Sequence, residues 1–448
     1  MNSNRRVVLF VAWSAGLYLL ISLAGTISGI NLIPPRVNLV ADILHTAPPS
    51  VKDDTSGNDL PSIAIEKKPG LDFTLYHRAK FFTNFSADTA QPSMASFVGK
   101  LHELKTGKKR KVRIAYFGDS MIEGDLLTQT LRRLLQKEFG GNGVGFVPIT
   151  SPVAGFRQTA VTEASSGWVD DNFKEGKNNR LFLSGHSFHT NNASVQIRDA
   201  TLGPNAVALE KSLLCGKSIH PVTVSLNNRS TIIEAEKPFN RIVVNNDKTT
   251  SLRLAVANDQ LPVFGITFES ESGVFVDNYS FRGITGIEYA RIDSASLSSI
   301  ADNNPYDLIV FQYGVNLLFR PNDKNFSWYS KAMLPVIRKM RKCFPETDFL
   351  LVSTADRAFR YNGEYKTAVG MDSLIKVQAE LAYQTNSIFY NQYATMGGEN
   401  SIVEWAKMKP SLANQDYVHP NHRGAEVLAG YFFEALMKEY AKYTDTLK

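Results

Sequence analysis

The sequence is poor in cysteine: 448 residues carry two, Cys215 and Cys343. Neither has the spacing of a cysteine metal site. They fall in different segments of the organisation read below, so two buried free thiols are expected, although an oxidising compartment would permit a disulfide. Charge of one sign is also scarce. The formal net charge is +6 with pI near 9.0, mild for this length, and nucleic acid is not an expected partner. The one dense basic run, Lys105-Thr-Gly-Lys-Lys-Arg-Lys111, directly precedes an apolar strand and reads as a solvated loop. The glycine cluster Gly140-Gly-Asn-Gly-Val-Gly-Phe-Val-Pro148 has neither a Gly-Lys-Ser/Thr ending nor a strand-loop-helix context, which argues against a phosphate loop there. Those glycines read instead as a mobile loop. His186 and His189 stand three apart, but in a β context they are read as ordinary side chains before metal ligands.

Long uncharged runs are confined to one place. Arg5 and Arg6 precede a segment without charge from Val7 to about Ile33, longer than the ~20 residues that span a bilayer. Positive charge ahead of it points the N-terminus to the cytoplasm and the body outside. Residues 1–33 are therefore expected to form an N-terminal transmembrane signal anchor. The competing reading is a signal peptide cut after Ala24. No Cys follows the segment, which argues against a lipoprotein. Residues 34–70, rich in Pro, Ser, Asp and Lys without a period, read as a flexible linker.

From Leu71 the texture is that of an α/β protein. A helix is expected from about Pro92 to Lys105, and Val112–Phe117 is an apolar run of strand length. Gly118-Asp119 breaks it, and a second helix is expected from Leu126 to Phe139, with Leu127, Leu131, Leu134, Leu135 and Phe139 on one stripe. Ser120 thus occupies a strand-to-helix turn, where free N–H groups favour developing negative charge. Between about Val161 and Val274 helical stripes give way to short alternating runs separated by turn clusters, the pattern of a β-sandwich or jelly roll. Trp168, Phe173, Phe182 and Phe188 in this stretch read as core by default, with a sugar-binding face as the alternative. Helices then alternate with strands again: Glu288–Ala301, Asp307–Phe311, Trp328–Phe344, Phe349–Ser353, Met371–Thr385, Ile388–Tyr390 and Arg423–Lys442. That alternation implies a parallel sheet covered on both faces, with sites at the carboxyl ends of its strands. Ser120 and Asn316 both follow strand ends and are expected on one rim.

Asp416-Tyr-Val-His419 lies just before the last helix. A histidine there can act as general base toward a rim serine, and Asp416 can hold its other ring nitrogen. His422 competes as base, but Asp416 has the better spacing to His419.

Gly118-Asp119-Ser120, Gly286 within Arg282-Gly-Ile-Thr-Gly286, Gly314-Val-Asn316 and Asp416-x-x-His419 resemble, in order, the four blocks of the SGNH (GDSL-type) hydrolases. More narrowly, the layout and the stretch from Met396-Gly397-Gly398 through Trp405 to His419 resemble peptidoglycan O-acetylesterases that carry a carbohydrate-binding-like β-module. The resemblance implies a three-layer α/β/α, flavodoxin-like parallel sheet formed by residues 71–160 and 275–448, with the β-module inserted at 161–274. It implies Ser120 as nucleophile, His419 as base and Asp416 as its orienter. The Ser120 and Gly286 N–H groups and the Asn316 amide would form the oxyanion hole, with Gly283 as an alternative to Gly286. Two positions depart from the usual pattern: Leu317 follows Asn316 where an Asp is usual, and Met121 follows Ser120 where a Leu is usual.

The function expected is an exported serine esterase that removes O-acyl groups, acetyl foremost, from a cell-envelope or other polysaccharide without metal or organic cofactor. The alternatives are a membrane-anchored polysaccharide O-acetyltransferase working with a membrane acyl donor, and a non-catalytic glycan-binding protein.

Overall fold

The computed structural model describes residues 68–175, 180–202 and 207–448. The expected anchor, and all but the last residues of the expected linker, lie outside them. Among the described residues no helix is long and apolar enough to cross a membrane.

The central sheet is built from Phe82–Thr83 (β1), Lys111–Gly118 (β2), Gly273–Ser280 (β3), Leu308–Gln312 (β4), Asp348–Val352 (β5) and Ile388–Tyr390 (β6), in the order β1-β6-β5-β4-β2-β3. All neighbours are parallel except β1 on β6. Counted along the parallel strands, β3-β2-β4-β5-β6 is the flavodoxin-like order 2-1-3-4-5, whose switch point lies between the first and third strands. Ser120 follows the first of these, β2, and Asn316 follows the third, β4.

Strands buried on both faces must be apolar throughout. Alternate side chains enter two separate cores. Ala115, Phe117, Ile309, Phe311, Phe349 and Leu351 pack with Ser294–Asn303 (α3), Ser327–Cys343 (α4) and Met371–Gln384 (α5). Ile114, Tyr116, Val310, Leu350 and Val352 pack with Ala95–Lys105 (α1), Thr128–Phe139 (α2) and His422–Asp445 (α6). The three α/β/α layers follow directly from that alternation.

The β-module is two antiparallel sheets around a third core that includes Val195, Ile197, Leu213, Val224, Leu254 and Phe268. Phe182 and Phe188 are fully buried and Phe173 nearly so, which makes them core. Cys215 lies in the module and Cys343 in α4, both as buried free thiols.

Two segments differ from the sequence reading. Gly145–Pro148 is not a mobile loop but a strand paired with Val263–Glu269 of the module. Its glycines answer to close backbone approach: a Cβ on Gly143, at φ +106°, would stand 2.3 Å from the Phe268 carbonyl oxygen. Gly273–Ser280, whose start was read as the end of the module, belongs to the parallel sheet as β3. An isolated apolar run looks the same in either sheet. Module and sheet are also joined by charge. Glu269, fully buried, accepts from Arg113 Nη2 at 2.7 Å and lies 3.0 Å from both Lys111 and Arg241. Burial alone would raise its pKa, but Arg113 and Arg241 hold it well below the usual carboxylate range.

Candidate active site

Ser120 leaves β2 in a tight turn. The Asp119 carbonyl accepts from Ile122 N–H, and its Oδ1 accepts from Met121 N–H at 3.0 Å. The first full helix, α2, begins only at Thr128, after a 3-10 turn at Glu123–Asp125 in which Gly124 and Asp125 have positive φ. The helix is therefore remote from Ser120, and the local donors are the turn's own N–H groups. Asp125, buried, fixes that turn by pairing with Arg132 at 2.8 Å and accepting from Thr159 Oγ1 at 2.6 Å.

Ser120 Oγ is 2.8 Å from His419 Nε2, and His419 Nδ1 is 2.7 Å from Asp416 Oδ2. A carboxylate facing Nδ1 favours the tautomer with its proton there, which leaves Nε2 free to accept from the Ser120 hydroxyl. Asp416 Oδ1 also accepts the N–H groups of Val418 and His419 at 2.9 and 3.1 Å. Partial burial works to raise the Asp416 pKa, but its bonds from the His419 ring and these N–H groups prevail and hold it at about 2. The loop itself is tied down: Ala358 N–H donates to the Tyr417 carbonyl, and Asn414 N–H to that of His419. The side chains of Asp416 and His419 remain 45% and 29% exposed, so the three groups stand on an open rim.

His422 does not join them. It opens α6 with its ring against Phe156, centroids 4.8 Å apart. His186 and His189 form no metal cluster among the described residues; His186 Nδ1 is held by Asp170 at 2.9 Å, and its ring stacks on Phe281. Trp405 is buried in the core on the α6 side of the sheet.

The other blocks converge on Asp119. Asn316 Nδ2 donates to Asp119 Oδ2 at 3.0 Å and to the Ile284 carbonyl at 2.9 Å. Both hydrogens of the Asn316 amide, which the resemblance implies as an oxyanion donor, thus have acceptors in this structure. The N–H groups of Ser120 and Gly286, by contrast, have no acceptor among the described residues. Gly286 needs to be glycine: its φ is +92° and a Cβ would come within 2.9 Å of the Tyr313 ring. Gly283 also has positive φ, but its neighbour is the Lys174 ammonium of the module. Leu317, where an Asp is usual, is buried in the core. Sequence reasoning missed Asp119 as the group holding Asn316, although its place beside Ser120 was the available signal. Burial pushes its pKa up to about 7, against the lowering effect of the Met121 N–H.

A cavity of about 280 Å³ opens three residues past Ser120. The α/β body contributes Glu123 and Arg282, which form an ion pair, and the β-module contributes Lys174, Ser184 and His186. Ser184 Oγ is buried there without a partner among the described residues.

The fold, a three-layer α/β/α parallel sheet with an added β-module, fits the arrangement that the resemblance to SGNH hydrolases implies. Within it, the chain is similar to a solved peptidoglycan O-acetylesterase, with TM-score 0.68 and 19% identity over 80% of this chain and 99% of that one. A family two carbohydrate esterase from Cellvibrio japonicus aligns remotely, with TM-score 0.27 and 11% identity over 63% and 99% of the two chains. No family profile and no curated protein matches the sequence.

Proposed function

We propose that the protein is a serine esterase that removes O-acyl groups, acetyl foremost, from a polysaccharide. The observation that carries this reading is the unbroken chain Ser120 Oγ–His419–Asp416, at 2.8 and 2.7 Å. Ser120 Oγ attacks the acyl carbon while His419 Nε2 takes its proton. The Ser120 and Gly286 N–H groups receive the oxyanion. His419 then protonates the departing sugar oxygen, which leaves an acyl-enzyme on Ser120. A water, deprotonated by His419, attacks the acyl carbon. Collapse of that second intermediate frees the acid and restores Ser120. None of these steps calls on a group beyond the chain's own residues and water.

The open rim supports water as acceptor over a second sugar. The cavity bordered by the β-module supports a glycan as the alcohol part of the ester. The charge pattern before Val7 supports a membrane anchor with the body outside the cytoplasm, where envelope polysaccharides are found. The test is product analysis on an O-acetylated glycan, with and without an acceptor sugar. Free acetate in both series, lost in Ser120→Ala, supports the esterase. Acetate that appears only as acetylated acceptor assigns the protein to the transferases.

A further inference from the structure

A second cleft, of about 610 Å³, reaches the start of α6 at His422, three residues past His419. It rests on α2, on α6 and on the turn at Gln158-Thr159. Arg133 and Lys137 come from α2 and Arg423 from α6. Among the described residues none of the three has an ion-pair partner. Glu426 is the one carboxylate in the lining. His422 Nδ1 is buried at this cleft with no partner, and the N–H groups of His422 and Arg423, in the first turn of α6, have no acceptor. Cations from two elements, left unpaired around one concavity, raise the local concentration of anions, and free first-turn N–H groups act in the same direction.

Phe156 stands between this cleft and the cavity of the candidate site. Phe156, 50% exposed, sets its ring against His422 on one side, and on the other it fills the space where a Gly124 side chain would stand. Gly124 in turn lines the cavity beside Ser120. A polymer lying on the rim would thus pass over Phe156 into the cationic cleft.

We propose that this cleft is an anion subsite, taking a carboxylate or phosphate borne on the glycan strand a short way from the ester that Ser120 cleaves. The proposal rests on the esterase reading only for what the strand is. Binding of the anion needs no turnover.

The test is calorimetric titration of the Ser120→Ala protein at low salt with three oligosaccharides of one length: a neutral one, a uronic-acid one and a phosphorylated one. Either acidic ligand should bind roughly ten-fold tighter than the neutral one. Salt should remove the difference, and so should the double variant Arg133→Glu/Lys137→Glu. Whichever acidic ligand binds tighter identifies the group. Lys137→Gln, a single exposed change, should give a smaller loss in the same direction and guards against misfolding of the double variant. Equal binding of all three, or acidic binding indifferent to both variants, overturns the subsite. Hydrolysis of p-nitrophenyl acetate by the double variant with Ser120 intact should match the unsubstituted protein. Absent serine-dependent hydrolysis with anion preference intact would refute the esterase reading and leave the subsite standing.

Discussion

Asn316 donates to Asp119 across the switch point of the sheet, Nδ2 to Oδ2 at 3.0 Å, and with its second hydrogen it holds the Ile284 carbonyl. One amide thus fixes the Gly286 segment to the turn that carries Ser120. Asn316→Ala should lower kcat roughly 10–100-fold with little change in KM, because it loosens oxyanion geometry rather than substrate binding. Steady-state kinetics on p-nitrophenyl acetate checks the split. A rise in KM at constant kcat would assign Asn316 to the substrate pocket.

Asp416→Asn should cost more in kcat, since it removes the charge that stabilises imidazolium and unsettles the His419 tautomer. In a buried triad the loss reaches ~10⁴-fold. Asp416 is half exposed, so a loss of roughly 10²–10³-fold is expected, again in kcat.

Stability should respond to pH in two opposite ways. Asp119 has a folded pKa of about 7 against ~3.9 unfolded. Between these values the folded state binds the extra proton, so this group makes stability fall as pH rises from ~4 to ~7. Asp416, at about 2 when folded, adds stability that is complete above ~4 and lost as pH falls toward 2. Denaturant titrations across pH should show a shallower decline from pH 4 to 7 in Asp119→Asn.

Phe156→Ala should raise KM for a polysaccharide ester several-fold and leave p-nitrophenyl acetate turnover unchanged. The exposed ring touches no group that reacts, but it lies between the cavity and the cationic cleft. Equal losses on both substrates would place Phe156 in support of the triad instead.

Gly314→Ala should lower stability by roughly 1–3 kcal/mol. Gly314 sits at φ +138°, and a Cβ there would meet the Thr354 Cβ at 2.5 Å. Thermal melting checks this, with residual activity of the folded fraction intact.

The pairing of Asp416 with His419 was legible because it is local, and the place of Ser120 because it ends a strand. Asp416 and His419 are three apart, and Gly-Asp-Ser ends an apolar run whose burial on both faces leaves little choice but a central strand. The two layers of helices followed from the same periodicity. What the sequence hid depends on contacts distant along the chain. The engagement of Asn316 by Asp119 and Ile284 joins three blocks, and no spacing rule reports that an amide is already occupied. The glycines at 140–145 look alike whether they free a loop or admit a neighbouring backbone. The cationic cleft draws on α2 and α6, which are far apart in the chain, and in each helix alone its cations read only as a solvated face.

The most direct measurement is intact-mass analysis of the protein mixed with an activated acetyl ester and quenched early, alongside acetate release from an O-acetylated glycan. The account predicts one acetyl group on Ser120, acetate released at a steady rate, and both lost in Ser120→Ala while the fold is kept. Acetate release that survives in Ser120→Ala would contradict it.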